Sequence, residues 1–385
     1  MRRRSSNVLL VLSLAAGIVA TAVGAASSSE FVELLELIPD TPETRSEVYL
    51  NDYHAASLAI GLVPPLPYAG EATDYMLQLN RYGALRPGPY ISGYVDWKPS
   101  IFNSLLYEAA GYDLRHVAAS ALAGGPPSLY GAVVLDDSVD ANVVYHRVQV
   151  NENWPLPGET TYHGVSILSW GEDYMMDFRR ISQPPVYDHL GRGARLGFME
   201  QTLFYTVWTD GLLSMIDTAR GTRPSLADVE ALRLMAEGLQ ILGTFGAYMT
   251  DATDRQTLAA LIAAARVAEG TIERLQSEVM LSPYCAFAVG IGRDESGPFM
   301  GLVLVHESES LAQENVDRIR QRFSQGTSSV SGSSWSDIFD PGQLEVSVDG
   351  RTLRARVPID PPSVWLRWVH LGDPLLLHEG SGPCP

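Results

Sequence analysis

The sequence predicts an α+β fold of mainly antiparallel sheets with flanking helices, on three observations. Short runs rich in β-branched and aromatic residues come in pairs joined by turn residues, as at Asp349-Gly350, between a strand over 344–348 and one over 352–359. Amphipathic helical segments separate these pairs, whereas a parallel sheet would alternate single strands with helices. The order of elements also repeats: Gly131-Ala-Val-Val-Leu-Asp-Asp-Ser leads into a helix carrying Asn142-Val143, and Gly301-Leu-Val-Leu-Val-His-Glu-Ser into one carrying Asn315-Val316. The repeat predicts two duplicated αβ units, 111–242 and 243–385, after an N-terminal helical and irregular segment over 26–110.

The chain begins with Arg2, Arg3 and Arg4, an uncharged apolar run over 8–26, and then Ser27-Ser28-Ser29-Glu30. That is the pattern of an export signal, with the small residues Val23-Gly24-Ala25 placing cleavage after residue 25. The run is nearly long enough to span a bilayer, so an uncleaved anchor is the alternative. Phe31, Leu34, Leu35, Leu37 and Ile38 form a short amphipathic helix, Thr41-Pro42-Glu43 opens another, and a strand over 47–50 precedes a helix over 53–60. Proline-rich, aromatic sequence over 61–99 follows, with a helix over 72–82.

Further on, a helix carries Ile101, Leu105, Leu106 and Ala109, and Asp113 is expected to cap a second helix running to Ala121. Strands are expected over 130–135, 162–169, 195–200 and 203–208, and helices over 139–148 and 226–239. In the second unit the expected order is a strand over 244–249, an Ala-rich helix from Leu258 to Val279, and a hairpin of 285–291 with 299–306. A helix over 311–323, a Gly/Ser/Thr-rich loop over 326–334, the hairpin at Asp349-Gly350 and a last strand pair, 365–370 with 375–378, complete it.

Composition excludes several function classes. The 385 residues are 46% apolar and carry 45 acidic against 27 basic side chains, a net charge of −18, which opposes binding to a nucleic-acid backbone. There is no nucleophile elbow, zincin motif, P-loop or dinucleotide fingerprint, so no cofactor is called for. The eight histidines lack the i, i+3 or i, i+4 spacing of a helical metal site, and no metal is expected. The acidic stretch 136–142 lacks the central Gly and terminal Glu of a calcium loop and reads as a cap at a helix N-terminus. Cys285 and Cys384 are the only cysteines, and in an oxidising compartment a disulfide between them would staple the C-terminal tail.

The strongest candidate site is the segment 151–189. It combines Trp154, Tyr162, Trp170 and Tyr174 with Asp173 and Asp177, aromatic rings beside carboxylates. Rings stack on apolar sugar faces, and two carboxyls can serve as acid and base.

The stretches 37–45, 111–117 with 125–127, Tyr162-His-Gly-Val-Ser-Ile167, Arg223-Pro-Ser-Leu-Ala-Asp228 and Leu302-Val-Leu-Val305 resemble uncharacterised exported bacterial proteins. The resemblance implies export and a bacterial origin, and attaches no activity. The expected function is therefore an extracytoplasmic, envelope-associated protein, secreted or in the cell envelope. It is a non-catalytic binding or assembly module for an envelope component or glycan, in contact with a membrane only if the N-terminal segment is retained. The alternative is a hydrolase acting on glycans or envelope polymers through a carboxylate pair.

Overall fold

Twelve antiparallel strands form one continuous sheet. The computed structural model describes residues 30–62, 75, 77–79, 81–82, 110–125, 127–180, 186–188, 190–263, 273, 275–328, 331–366, 373 and 375–380. The expected leader over 1–25, the helix over 101–109 and Cys384 lie outside them. The first half contributes β1 (Val48–Asp52), β2 (Val117–Ala123), β3 (Tyr130–Leu135), β4 (Gly158–Tyr162), β5 (Val165–Ser169), β6 (Arg195–Met199) and β7 (Thr202–Thr206). The second contributes β8 (Thr244–Thr250), β9 (Ala286–Asp294), β10 (Gly297–Val305), β11 (Glu345–Asp349) and β12 (Thr352–Pro358). Across the sheet the order is β11-β12-β10-β9-β8-β1-β2-β3-β7-β6-β5-β4.

This order repeats about the β1–β8 pair at its middle. In the first half the hairpin β2–β3 leads through helix α4 (Ala141–Gln149) to the hairpin β6–β7, whose second strand returns to pair with β3. In the second half β9–β10 leads through α8 (Glu309–Gln325) to β11–β12, and β12 pairs with β10. The strands at Gly131 and Gly301, and the helices at Asn142 and Asn315, therefore occupy matching places. The first half inserts the hairpin β4–β5 before β6, and the joining strand β1 comes from the segment N-terminal to residue 111.

Local chemistry accounts for several boundaries. Thr41 caps α2 (Pro42–Arg45) in a reciprocal box with Thr44. Asp52 ends β1 and caps α3 (Tyr53–Ile60), which stops at Gly61 in the left-handed conformation. Helices cover both faces of the sheet. On β6, Gly197 faces Leu212 and Ile216 of α5 (Thr209–Ala219), while its neighbour Phe198 meets Tyr145 of α4 on the other side, ring centroids 5.3 Å apart. Helix α1 (Glu30–Glu36) packs against α6 (Glu230–Leu242) and the middle of the sheet, and α7 (Leu258–Ala263) follows β8.

Three elements differ from expectation. The Ala-rich stretch after Asp113 is strand β2, preceded only by a 3-10 turn at Leu114–His116, because its small side chains fit between β1 and β3 and tertiary pairing overrides their helix propensity. The single strand expected over 162–169 is the end of β4 and all of β5, reversed by His163 (φ 49°) and Gly164 (φ 82°). Of the last expected strand pair, 367–370 lies outside the described residues, and the rest differs: Trp365 ends a 3-10 turn, Pro362–Trp365, and Leu375, Leu376 and Leu377 are buried without a ladder.

Those leucines are held by single contacts from distant positions. Tyr284 Oη donates to Leu376 O (2.6 Å), Arg322 Nε to Leu375 O (3.0 Å), and Leu281 N to Leu377 O (2.9 Å). The adjacent Cys285 is disulfide-bonded.

A buried network ties β10 to α8. Asn315 Nδ2 donates to His306 Nε2 (2.8 Å), His306 Nδ1 lies 3.2 Å from Arg351 O, and Asn315 Oδ1 accepts Ser282 N (2.7 Å). An imidazole that accepts at Nε2 and donates at Nδ1 is neutral, and burial lowers its pKa from 6.5 to about 4. Between those values the unfolded chain binds more protons than the folded one, so stability falls as pH drops from about 6.5 towards 4. Urea unfolding at pH 7 and pH 4 should show a loss of about 3 kcal/mol from this residue, absent in His306→Gln. Equal pH slopes in the two proteins would contradict the neutral assignment.

Candidate functional site

The excursion between β5 and β6, residues 170–194, gathers most of the expected site at one end of the sheet. Its two limbs run side by side because glycine leaves room for backbone. A Cβ on Gly191 (φ 71°) would lie 2.0 Å from Asp177 O, and one on Gly193 would lie 1.8 Å from Trp170 O. Asp177 N donates to Gly191 O (3.2 Å) and Trp170 N to Ala194 O (3.0 Å), closing the limbs together.

Two buried arginines brace the excursion. Arg195 donates to the carbonyls of Trp170 (2.6 Å), Gly193 (2.9 Å) and Gly171 (2.8 Å), while its Nε lies 2.8 Å from Asp173 Oδ1 as a charge contact without an aligned hydrogen bond. Arg192 pairs with Asp188 at 2.6 Å, both side chains about 5% exposed, and reaches Pro127 O in the β2–β3 turn (3.3 Å). Asp188 also accepts Leu190 N and Arg192 N, which folds the turn around it.

The structure redistributes the six expected site residues. Trp154 and Trp170 are core side chains, 8% and 2% exposed, and Trp170 Nε1 donates to Pro155 O (2.7 Å), so neither offers a ring face to a sugar. Tyr162 lies at the far end of the β4–β5 hairpin, donating to Asp217 Oδ2 (3.1 Å), away from the other five. Asp173 accepts both the N–H and the hydroxyl of Thr209, the first residue of α5, and so caps that helix from outside its own segment. Asp177 accepts Arg179 N and Nε, each at 3.1 Å. That pairing lowers its pKa and keeps it ionised, unsuited to act as an acid. Both carboxylates are committed to the loop's own architecture.

Between the exposed charges of Glu172 and Arg179 the loop presents an apolar run. Tyr174, held at φ 59° and stacked on Trp208 at 5.4 Å, is 43% exposed; Met175, Met176 and Phe178 are 55%, 51% and 66% exposed. Beside them a groove of about 560 Å³ is lined by Pro127, Tyr174, Met176, Leu190 and Arg192. The two methionines and Leu190 were missed in the sequence, where aromatics and carboxylates drew attention. The signal available was Met175-Met176 beside Arg179-Arg180, since methionine is common on adaptable binding surfaces.

Two other cavities differ in kind. One of about 680 Å³ lies between α1 and the turn 218–228, and one of about 200 Å³ surrounds the buried Glu278–Arg322 pair. At the start of α1, whose Val32 and Glu36 line the first of these, Glu30 is pushed up to about 8, first by burial and then by the Asp52 carboxyl with which it shares a hydrogen bond. Among the described residues no cluster of His, Cys, Asp or Glu is arranged to hold a metal ion. The stretch 136–142 caps α4, Asp140 accepting Asn142 N (2.8 Å).

No family model and no curated protein matches the chain. Among solved structures, two crystal forms of the bacterial protein TP0453 are similar. Form III has 10% identity and a TM-score of 0.35 over 86% of this chain and 95% of its own; form I has 8% and 0.37 over 88% and 97%.

The packing assigns different costs to the expected rings. Trp170→Ala should lower unfolding free energy by about 3–5 kcal/mol, as for a buried aromatic, whereas Tyr174→Ala should cost about 1 kcal/mol, the worth of one ring contact. Urea unfolding of both variants checks this, and a Trp170→Ala chain as stable as the parent would return Trp170 to the list of ligand platforms.

Proposed function

We propose that this chain is an extracytoplasmic, envelope-associated binding or assembly module, of the uncharacterised exported bacterial kind its motifs resemble, and that it docks through the exposed run of Tyr174, Met175, Met176 and Phe178. The observation that carries the reading is the row Tyr174, Met175, Met176 and Phe178, held outward on a loop whose polar groups are satisfied from within. Apolar side chains braced in that way are displayed, because a loop free to relax would fold them inward. The export pattern at the N-terminus and the disulfide at Cys285 support a location outside the cytoplasm. The ionised, paired state of Asp177 and the capping role of Asp173 favour binding over catalysis at this face.

A photo-crosslinking residue in place of Met175, introduced into the full chain in the producing cell, tests the reading. Attachment to an envelope component, protein or lipid, is expected, with loss of attachment when Phe178→Asp is added. Attachment to cytoplasmic components alone, or to nothing, would count against it.

The hydrolase alternative now rests on Glu30 and Asp52, since a carboxyl held protonated near pH 7 beside a second carboxyl is the pairing an acid catalyst needs. Under that reading Glu30→Gln abolishes breakdown of an envelope glycan by the purified protein. If the parent shows no such activity to lose, the pair is structural.

A further inference from the structure

We propose that the partner of the apolar run Tyr174, Met175, Met176 and Phe178 is a phospholipid bilayer, into whose interfacial region these side chains insert. The inference rests on the docking reading above and names its partner.

Three features favour lipid over a protein partner. The first is order along the chain: four exposed apolar side chains fall within five successive positions of one loop, and Tyr174 carries the polar handle that suits the boundary between headgroups and acyl chains. A run of this kind enters a fluid apolar phase without needing a complementary pocket. The second is the flanking charge. Arg179 follows the apolar run directly with its side chain 91% exposed, and Arg180 lies over the Tyr187 ring at 5.1 Å. Long cationic side chains beside an apolar tip can keep their heads at phosphate level while their stems stay in the apolar layer. The third is the charge of the whole. The chain carries −18, which an anionic surface repels, yet in 171–193 three arginines stand against four acids, leaving that stretch at −1. A face that holds so little of the charge and also carries the apolar run is where such a surface can be approached closely.

The loop is prepared for insertion before it meets the bilayer. Asp177, the one acid inside the apolar run, is paired with both Arg179 and Arg180, with 23% of its side chain exposed. Asp173 is spent on Thr209 and Arg195. Pairing lowers the cost of displacing water from these two carboxylates, and the exposed Glu172 precedes the apolar run rather than lying within it.

The test uses the full chain with Met175→Cys, labelled with an environment-sensitive fluorophore while Cys285 stays in its disulfide. The vesicles are equal parts phosphatidylcholine and phosphatidylglycerol. A several-fold rise in emission with a blue shift is expected on mixing, quenched by lipids brominated on the acyl chain. No change is expected from a label at Glu345→Cys on the sheet's other edge, so insertion of the N-terminal run cannot imitate the signal. Because insertion is mainly apolar, the rise should persist at high salt, and Met176→Asp with Phe178→Asp should weaken it by at least about tenfold. Both side chains are exposed, and an unchanged urea midpoint shows that the double variant still folds. A label at 175 that ignores vesicles, or responds equally in the double variant, overturns the lipid assignment. If the crosslinker at the same position still captures an envelope polypeptide, the docking face stands and only its partner changes; if both fail, the docking reading fails too.

Discussion

The pairing of β1 with β8 is the contact on which the rest of the molecule depends. It joins Val48, Tyr49, Leu50 and Asn51 to Met249, Tyr248, Ala247 and Gly246, residues about two hundred positions apart, and every other strand is reached outward from it. Tyr49 and Tyr248 face each other in this register with ring centroids 5.2 Å apart, and β1 is buried along all five residues because it has a neighbour on each side. A one-residue slip here would turn each buried side chain of β1 to the opposite face, so register at the centre fixes the facing of both halves. Closing so long a loop is entropically costly, and the ladders on either side offset that cost.

From this centre the two halves grow outward by one plan and then diverge. Each adds a hairpin, a crossing helix and a second hairpin that returns to the first. In the second half the sheet ends at β11, whose alternating exposure leaves Glu345, Ser347 and Asp349 outward on an acidic edge unsuited to adding another strand. In the first half the extra hairpin β4–β5 carries the sheet two strands further. The excursion that follows it bears the apolar loop. The plan common to both halves builds the scaffold, and the insertion found in one of them supplies the candidate site.

The insertion holds its shape by polar means. Arg195, Arg192 and Asp188 are buried and Asp173 lies beside them at the surface, each bonded to backbone or to another of the set. A buried ion pair adds little net stability compared with apolar packing, but it has one geometry, and a loop that must display apolar side chains gains from that definition. The same polar layer consumes the carboxylates that would otherwise have read as catalytic groups.

The sequence by itself determined the features set by near neighbours along the chain. The caps at Thr41 and Asp52, helix α3, the hairpins of 286–305 and 345–358, helix α8 and the α+β class all follow from turn chemistry and periodicity within some fifteen residues. The likeness of the Gly131 and Gly301 stretches was legible for the same reason. Only the tertiary structure decided the rest. It made a strand of the Ala-rich β2, since whether alanines form helix or sheet depends on the strands beside them. It also set the parts of the site residues: Trp170 became core through Pro155, Asp173 a brace through Thr209 and Arg195, and Tyr174 a displayed ring through Trp208. An aromatic or a carboxylate has the same letter whether it packs, braces or binds, and its partners, up to 55 positions away, are chosen by the fold.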